Sequence, residues 1–488
     1  MRTLTLGYLF LSLAPGVTVS RAAPGTILVE RPPRRIRLKL LDDGAVAALL
    51  RLAEGRAGRD ELDWVATGAL PTADLSRLDT ELARLSGKAL IHYSCVLDGK
   101  EIMSAVPISG LARFRFPVLP DSTQLRLSRF AYMRRFDDDL ILESPTSYAR
   151  VTLHWPALAG IIASFASSCA VGEIDRIGSE GDGEALRASA AFLHGVGALA
   201  VTDHCGQTAE DSSPLVAQRE FHDVVFHAGS RAGLSDRPIG GTYRFKESIA
   251  PVPAVRLPVP GRSVQLPSPD LNRVMKDDPP LAHVMETRRS LRDHGDQPIS
   301  IEQLGEFFYR VGRIKAVNKV DARSGRFYES SSRTYPSSGA VYDIELYITV
   351  RECAGLQPGV YHYDALNHRL TLICDRADWV RRMLLDAYLA SGGVAEPHTV
   401  ITLASRFSRV SWKYESIAYS LTLKNVGVLY EAMYLAATAM NLAGCGIGCG
   451  DSALFSLVTG LDPLVESSVG EFMLGAPQEG PRQKTEVR

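Results

Sequence analysis

A proline-rich stretch in the middle of the chain constrains its fold more than any other feature. Residues 247–281 hold eight prolines and few periodically spaced apolar residues. Because proline fixes φ and removes a backbone donor, such a stretch favours extended, semi-rigid chain over helix or central strand. We therefore predict a linker over residues 211–280. It separates an N-terminal half from a C-terminal domain in a chain of 488 residues.

The composition is that of an ordinary globular protein, with 45% hydrophobic and 22% charged residues. A net charge of −1 gives no general attraction to nucleic acids or to anionic membranes. No apolar run reaches the ~18 residues that a membrane-spanning helix needs. The composition thus predicts no nucleic-acid partner and no membrane partner.

Cysteine and histidine spacing predicts no metal site. The seven cysteines include no C-x-x-C pair, and their scatter is typical of reduced thiols in a cytoplasmic protein. Phe221-His222 and Phe226-His227 lie in a loop-like stretch, where packed aromatics and solvated histidines are expected. The apolar residues 4–13 imitate a secretory signal, but Pro15-Gly16 interrupts them and the alternation beyond favours a hairpin.

The N-terminal half shows one plan twice. Residues 1–115 read as short strands, including residues 34–40 and 90–95, with helices at residues 43–54 and 73–85. Residues 120–210 repeat that order, and Leu127-Ser128 occupies the position in the second copy that Leu11-Ser12 occupies in the first. We predict two duplicated modules of winged-helix type, binding or structural in role, because neither holds a convincing set of chemical groups.

The C-terminal domain, residues 281–488, has α+β character, and so does the chain as a whole. Ser300 and Gln303 fit a capping box, and residues 341–350 alternate as a strand with one polar face. Residues 421–442 are apolar nearly all round, which indicates a buried central helix or an interface helix. Gly444 is well placed to end that helix.

Residues 288–292, the arginine turn, place three guanidinium groups and a hydroxyl within five residues. Guanidinium groups bind phosphate oxygens two at a time, so the turn suits a fixed dianion such as a nucleotide phosphate. An isolated R-R-S-x-R is as compatible with a solvated basic turn. Two later motifs favour the binding site: Tyr335-Pro336-Ser337-Ser338-Gly339-Ala340 and Trp412-Lys413-Tyr414.

In this order the motifs resemble the FMN-dependent nitroreductase-like fold, and within it the SagB-type, azoline-oxidising dehydrogenases of ribosomal peptide natural-product biosynthesis. The resemblance runs from Leu281 to Pro477 and includes residues 359–363 and the glycine-rich residues 448–451.

The resemblance implies an FMN site shared by two subunits of a homodimer. Arg288, Arg289, Ser290 and Arg292 would bind the phosphate and ribityl hydroxyls. Residues 336–339, the serine loop, would lie against the flavin of the partner subunit: Pro336, Ser337, Ser338 and Gly339. The backbone of residues 444–450 would also contact FMN.

The resemblance implies that Lys413 and Tyr414 carry the chemistry. Oxidising an azoline to an azole removes a proton from Cα and a hydride from Cβ; the hydride goes to flavin N5 and the proton needs a base. A lysine can serve as that base, and a tyrosine can relay the proton or orient the lysine. By itself a Lys-Tyr pair is more often a surface lysine beside a packed tyrosine, and the flavin motifs shift that balance.

One part of the chain departs from the family pattern. Many relatives open the central helix with an Asp-Ala-Gly-His-like run, whereas this chain has Lys424-Asn425-Val426-Gly427. Gly427 is kept, but Val428 replaces the histidine. Any role of that histidine is therefore in doubt, although the flavin site is not.

The N-terminal modules resemble peptide-recognition units that pair a leader strand with a sheet edge. Basic residues cluster on or beside one predicted strand and would attract an acidic leader: Arg31, Arg34, Arg35, Arg37 and Lys39. A spacer or dimer-supporting domain is the alternative. The implied partners are an azoline-containing precursor peptide and a cyclodehydratase.

Three functions remain open from the sequence. The first is an azoline dehydrogenase acting on a ribosomal peptide. The second is a nitroreductase-like NAD(P)H:acceptor oxidoreductase, against which the long N-terminal half and Lys413-Tyr414 argue. The third is a flavin-free scaffold of a peptide-modifying complex, against which the intact arginine turn argues.

Overall fold

The computed structural model describes residues 7–39, 41–68, 75–176 and 183–478. The chain divides into two compact units between Arg237 and Pro238. This division falls inside the predicted linker, residues 211–280.

The first unit contains thirteen strands and seven helices among its described residues, and a short 3-10 helix at Val171–Arg176. The strands are β1 (Leu9–Leu13), β2 (Thr18–Ala23), β3 (Thr26–Arg31), β4 (Arg34–Leu38), β5 (Ala57–Gly58), β6 (Ile91–Leu97), β7 (Lys100–Pro107), β8 (Gln124–Leu127), β9 (Tyr132–Phe136), β10 (Asp139–Ser144), β11 (Ala149–Leu153), β12 (Cys169–Ala170) and β13 (Leu199–Val201). The helices are α1 (Asp43–Ala53), α2 (Arg59–Thr67), α3 (Ser76–Ser86), α4 (Leu158–Ser164), α5 (Gly183–Gly195), α6 (Ala209–Ser212) and α7 (Phe221–Ser230).

The order of these elements repeats within the unit. A meander, β2-β3-β4, leads into α1, α2 and α3; a second meander, β9-β10-β11, leads into α4, the 3-10 helix and α5. β1 lies between β5 and β6, and β8 lies between β12 and β13 in the same way. The winged-helix assignment of the two copies stays a prediction.

The two copies differ at one edge of the meander. In the second copy β7 pairs with β11 from Ala149↔Pro107 to Leu153↔Met103, which joins both copies in a seven-stranded sheet of order β5-β1-β6-β7-β11-β10-β9. In the first copy the sheet has the order β2-β3-β4, and no described strand covers the outer edge of β4. Only the first copy therefore leaves this edge open within the described part of the unit.

One continuous core holds the first unit together. It contains fully buried side chains from both copies, including Leu49, Leu82, Phe165 and Phe192. Burying a large apolar side chain contributes roughly 1.5–3 kcal/mol, so the copies stabilise each other.

The second unit has nine strands and seven helices among its described residues, with 3-10 turns at Ala322–Ser324 and Ser338–Ala340. The strands are β14 (Ser263–Gln265), β15 (Ala316–Asn318), β16 (Ser330–Ser332), β17 (Ile344–Val350), β18 (Gly359–Asp364), β19 (Arg369–Cys374), β20 (Thr399–Arg406), β21 (Ala443–Ile447) and β22 (Glu466–Gly475). The helices are α8 (Leu271–Asp277), α9 (Leu281–Thr287), α10 (Ile301–Val311), α11 (Ala377–Ala390), α12 (Phe407–Ser411), α13 (Ala418–Ala439) and α14 (Ser452–Thr459).

A seven-stranded antiparallel sheet of order β14-β19-β18-β17-β20-β22-β21 forms the centre of this unit. Phe307 and Phe308 of α10 and Leu429 of α13 pack in the cluster on one face. Val380 and Leu384 of α11 pack with Leu454 of α14 in another cluster. Every residue of β17 is buried as a result, including the predicted polar face.

Buried charged groups satisfy that polar face. Glu345 of β17 lies 3.3 Å from His362 and 3.3 Å from Arg406, and the Tyr347 hydroxyl donates to Glu466 at 2.7 Å. Burial alone would raise the pKa of the Glu345 carboxyl, but the His362 hydrogen bond and nearby arginines lower it to about 2. The polar alternation of β17 thus reflects a paired charge network in the interior.

The proline-rich stretch does not run free between the units. β14 pairs with β19, and backbone oxygens of the stretch accept hydrogen bonds from three side chains of the second unit. Arg406 donates to Pro253 O at 2.9 Å, Arg409 to Val252 O at 2.7 Å and Trp412 to Ile249 O at 2.7 Å. Proline removes a donor but leaves carbonyl acceptors, so side-chain donors replace the strand pairing that proline prevents.

Several sequence predictions need correction. β1 and β2 do not form a hairpin with each other; β1 pairs with β5 and β6, and β2 pairs with β3. Residues 221–230, predicted as a loop, form α7. The central helix ends at Ala439, Asn441 takes the left-handed conformation with φ of 52°, and Gly444 lies inside β21. For β1, β2 and Gly444 a strand pairing with another segment overrides the local pattern.

Among the described residues, no helix combines the length and the apolar composition required to cross a bilayer.

Candidate functional site

The arginine turn begins where α9 ends. The Arg288 N–H closes the helix on Val284 O at 2.9 Å, and the Leu291 N–H donates to Gly444 O at 3.0 Å. These two bonds fix the turn beside the first residues of β21. The Tyr434 hydroxyl of α13 links the same regions, because it lies 3.0 Å from Ser290 Oγ and accepts from Gly446 N–H at 2.8 Å.

The guanidinium groups of the turn face no acidic partner. The Arg288 guanidinium carbon lies 5.1 Å from the centroid of the Tyr434 ring, and Arg289, Ser290 and Arg292 are exposed. Within the part of the chain that the structure describes, no carboxylate forms an ion pair with any of the three arginines. Three unpaired cations beside a serine hydroxyl form a suitable site for a phosphate dianion.

A buried carboxylate, Asp343, supports the serine loop through Asn425. Ser338 donates to Asn425 Oδ1 from its N–H and from its hydroxyl, both at 3.0 Å. Asn425 in turn donates to Asp343 Oδ1 at 2.7 Å. Asn425 belongs to the run that departs from the family pattern, so that run has a structural role here.

Asp343 is fully buried and accepts two further hydrogen bonds, from Ser405 Oγ at 2.7 Å and Thr422 Oγ1 at 2.9 Å. A buried carboxylate is tolerated only when donors surround it. The network therefore ties the serine loop to β20 and to α13. No motif in the sequence pointed to Asp343, although its position just after the loop and before a strand is compatible with such a role.

Lys413 and Tyr414 lie directly against the serine loop. Lys413 Nζ donates to Gly339 O at 3.0 Å and to the Tyr328 hydroxyl at 2.7 Å. Gly339 has φ of 55°, and a Cβ at this position would overlap Lys413 Nζ and the Tyr414 hydroxyl. The structure thus brings together two of the predicted motifs, and it gives a reason for the glycine.

An aromatic cluster that the sequence analysis missed surrounds Lys413. The Lys413 ammonium nitrogen lies 5.8, 5.2 and 5.3 Å from the ring centroids of Tyr243, Tyr328 and Tyr414. Burial is the main reason that the pKa of Tyr243 is raised, and the charge of Lys413 opposes that shift. Tyr243 and Tyr328 lie far from Lys413 in sequence, so no local pattern could have identified them.

The arginine turn and the serine loop do not meet within one chain. Their contacts on α13, Tyr434 and Asn425, are nine residues apart. At ~1.5 Å per residue and ~3.6 residues per turn, that places them ~14 Å apart along the axis and on opposite sides of the helix. One copy of the chain therefore presents two separate half-sites.

The glycine-rich residues 444–450 lie next to a half-buried acid, Glu471. A Cβ at Gly450 would overlap the carboxyl group of Glu471, which lines a cavity of about 20 Å³ together with Asp386 and Cys449. Burial, and then the charge of Asp386, raises the pKa of Glu471 to about 7. The Glu471 N–H donates to the Tyr430 hydroxyl of α13 at 2.8 Å.

Within the described ranges, one group of side chains has the proximity of metal ligands: Asp203, His204 and Cys205. All three are exposed. The carboxylate of Asp203 already accepts from the N–H groups of Cys205 and Gln207, at 2.8 and 3.0 Å. The group is thus a hydrogen-bonded surface turn.

Comparison with known proteins finds family matches in two parts of the chain. Residues 285–476 match the model of the nitroreductase family. The C-terminal domain is a nitroreductase domain. A second model, that of the cyanobactin oxidase ThcOx, matches residues 125–236 in the first unit. Together the two matches confirm the resemblance to SagB-type, nitroreductase-like proteins and the α+β fold with a C-terminal nitroreductase domain.

Two curated relatives match parts of the chain. A protein named as a nitroreductase, MJ1384 of Methanocaldococcus jannaschii, is 26% identical over 188 residues, which are 38% of this chain and 85% of the relative. The trifolitoxin-processing protein TfxB of Rhizobium leguminosarum bv. trifolii is 27% identical over 149 residues, which are 30% of this chain. The match spans only 40% of the length of TfxB.

Solved structures align with parts of the chain at low scores. A protein named as a nitroreductase from Anabaena variabilis aligns with 84% of this chain and 90% of its own, at 16% identity and a TM-score of 0.36. The microcin synthetase McbBCD complex of E. coli aligns with 41% of this chain and 74% of its own, at 21% identity and a TM-score of 0.31. Scores this low say nothing of activity.

Proposed function

We propose that this nitroreductase-domain protein is an FMN-dependent dehydrogenase that oxidises thiazoline or oxazoline rings to thiazoles or oxazoles in a ribosomally made peptide. One observation carries the proposal: Lys413, a potential base, is held 3.0 Å from the backbone of the serine loop, the segment expected beside the flavin. The relatives named for cyanobactin oxidation and trifolitoxin processing support a peptide substrate.

The residues present fit FMN, as expected for a nitroreductase domain. Arg288, Arg289 and Arg292 would hold the phosphate, since they have no acidic partners among the described residues, and Ser290 would add a hydroxyl. Gly339 and the short side chains of Ser337 and Ser338 let backbone approach a flat ring closely. FMN, when bound, would accept the hydride that leaves Cβ of the azoline.

A homodimer would bring the two separate half-sites together. Since the arginine turn and the serine loop lie on opposite sides of α13, a second copy is needed to bring both to one flavin. α13 carries exposed apolar side chains suited to such an interface: Tyr419 (48% exposed), Leu423 (40%) and Val428 (37%). Gly427, also exposed, permits close approach of a second helix.

In the reaction, Lys413 would take the proton from Cα of the azoline. Its amine donates to the Gly339 carbonyl and the Tyr328 hydroxyl and lies 5.2–5.8 Å from three aromatic ring centroids, so these groups hold it in place. Tyr414 contacts the same glycine and would orient the lysine or relay the proton.

The first unit offers a docking edge for the leader of the precursor peptide. β4 has an open edge, and Arg34, Arg35 and Arg37 on it are exposed. Arg35 pairs with Glu30 at 3.0 Å, whereas Arg34 and Arg37 form no ion pair with any described residue. An acidic leader strand would add backbone hydrogen bonds to β4 and neutralise this charge. A cyclodehydratase would supply the azolines in the cytoplasm.

The test combines cofactor analysis with a substrate assay. The purified protein should be yellow and should release FMN on heating, which excludes a scaffold without flavin. With a peptide that carries azolines, mass spectrometry should show the loss of two hydrogen atoms per ring. NAD(P)H consumption without peptide, and no ring oxidation, would instead favour a small-molecule reductase, the function suggested by the likeness to MJ1384.

Lys413→Ala should keep bound FMN and lower the rate of azole formation by ~10²–10⁴-fold, the range for loss of a general base. The matched control is Lys276→Ala, an exposed lysine of α8, which should retain the wild-type rate. Full activity of Lys413→Ala would rule out Lys413 as the base.

A further inference from the structure

Two acceptors of different kinds hold the amine of Lys413. The Gly339 carbonyl lies 3.0 Å from Nζ and the Tyr328 hydroxyl oxygen lies 2.7 Å from it. A tetrahedral nitrogen has three positions besides its carbon. Two acceptors fix two N–H groups and leave the third position pointing elsewhere.

This arrangement serves both protonation states of the amine. In the ammonium form the third position carries the third N–H. In the neutral form the same two N–H groups stay on Gly339 and Tyr328, and the third position is the lone pair. The third position on Lys413 Nζ, where the proton is gained and lost, therefore points in the same direction in both protonation states.

The surroundings restrict rotation of Lys413 further. The ring of Tyr243 packs edge-on against Phe327 at 5.0 Å and against Trp412 at 5.9 Å, and the Tyr243 N–H donates to Lys413 O at 3.2 Å. The ring of Tyr328 lies 5.8 Å from that of Trp412. Both phenols are thus held in place against the lysine.

Charged neighbours lie around this cluster but are engaged elsewhere. Glu415 pairs with Arg244 at 3.4 Å, and Lys246 lies 4.7 Å from the centroid of Phe327. Glu329 accepts from the Ala254 N–H at 2.9 Å, and Arg409 donates to Val341 O at 2.8 Å. The Tyr243 hydroxyl, a titratable group, also interacts with the Lys413 amine and with Tyr328. Tyr328 accepts the short side-chain hydrogen bond of this cluster, at 2.7 Å from Lys413 Nζ.

We propose that Tyr328 is a positioning residue of this site, whose hydroxyl oxygen fixes the direction of the proton-accepting position of Lys413. The inference rests on the proposed function in one respect, namely that the proton Lys413 accepts comes from Cα of an azoline. The hydrogen bond itself can be tested without any substrate.

Tyr328→Phe keeps the ring and removes the hydroxyl. With an azoline peptide and bound FMN, we expect kcat to fall ~10–100-fold, because a small misplacement of a reacting group has an effect of this size. KM should change little. An acceptor stabilises the ammonium more than the neutral amine, so its loss should move the rising limb of the pH–rate profile to lower pH.

A second measurement does not depend on turnover. Lys413 can be acetylated with a limiting amine reagent at a series of pH values and its labelling followed by peptide mass spectrometry. Tyr328→Phe should begin to label at lower pH than the wild type. Tyr309→Phe removes a hydroxyl from α10, beside Arg313 and His368, and should match the wild type in both measurements.

The outcomes separate the two proposals. A wild-type protein that binds FMN but oxidises no azoline would contradict the proposed function, and the labelling profile would still decide the role of Tyr328. Wild-type rate and labelling in Tyr328→Phe would overturn the inference. A lower rate with unchanged pH dependence and unchanged labelling would also overturn it, because that result indicates a structural role only.

Discussion

The arginine turn and the serine loop are both short irregular segments beside α13, yet they are stabilised in opposite ways. The serine loop carries no charge, but Ser338, Asn425 and buried Asp343 form a chain of hydrogen bonds of 2.7–3.0 Å beneath it. The arginine turn carries three positive charges, and its side chains make few contacts: a ring contact from Arg288 and a hydroxyl contact from Ser290.

This difference indicates a division of roles. Exposed guanidinium groups lose little solvation when they bind a phosphate, and they need no rearrangement of partners. A loop that faces a flat ring must instead be rigid before the ring arrives, because ordering it on binding would reduce the affinity. The arginine turn would thus attract the phosphate electrostatically, and the serine loop would provide a rigid surface that fits the flat ring.

The largest effect should come from removing the support of the loop. Asp343→Ala leaves donors of Ser405, Thr422 and Asn425 unpaired in the interior, so we expect a loss of about 3 kcal/mol in the free energy of unfolding. Urea denaturation measures this loss, and amide hydrogen exchange at residues 337–340 should accelerate. The exposed Asp277→Ala is the control and should change the free energy by less than about 0.5 kcal/mol. Equal stability of the two variants would contradict a supporting role for Asp343.

A change in the turn should affect FMN and leave the fold intact. Arg289→Ala removes a charge-assisted hydrogen bond worth about 1.5–3 kcal/mol, so the Kd for FMN should rise ~10–100-fold. Fluorescence titration measures the Kd, and the gap from wild type should narrow as salt is added. Arg381→Ala, an exposed arginine of α11, is the control. An unchanged Kd in Arg289→Ala would place the phosphate elsewhere.

The smallest effect should be on the pH dependence of stability, through Glu471. Its backbone N–H donates to Tyr430, which lies on α13 between the contacts of the arginine turn and the serine loop. The pKa of Glu471 is raised from 4.5 to about 7 in the folded protein, so the folded state binds the proton more tightly than the unfolded chain. Its contribution to stability is full below about pH 4.5 and is lost as the pH rises to about 7, by about 1–3 kcal/mol.

Glu471→Gln should remove this loss, so urea midpoints at pH 5 and pH 8 should lie closer together than in the wild type. Asp386→Asn is the comparison variant, because it removes the second cause of the raised pKa and should give an intermediate result. A wild-type protein whose stability rises from pH 5 to pH 8, with no change in Glu471→Gln, would contradict the assignment.

Much of the fold followed from periodicity. Helix α1 lies within one residue of its predicted bounds, and α10 begins at the predicted capping box of Ser300 and Gln303, because each has a clear apolar pattern and a capping side chain at its start. α2 and β7 were missed. α2 has a single buried side chain, Leu62, and so a weak pattern, and β7 is defined by its pairing with β6 and β11.

The motifs are sequence properties: a cluster of arginines, two serines before a glycine, and a lysine beside a tyrosine are chemical groups adjacent along the chain. Tertiary structure alone decided what those groups contact. The Lys413 amine meets Tyr328 across 85 positions, Asp343 reaches the serine loop through Asn425, and the two half-sites fall on opposite sides of one helix. These contacts depend on how strands and helices pack, and packing joins residues whose separation in sequence carries no information about their distance in space.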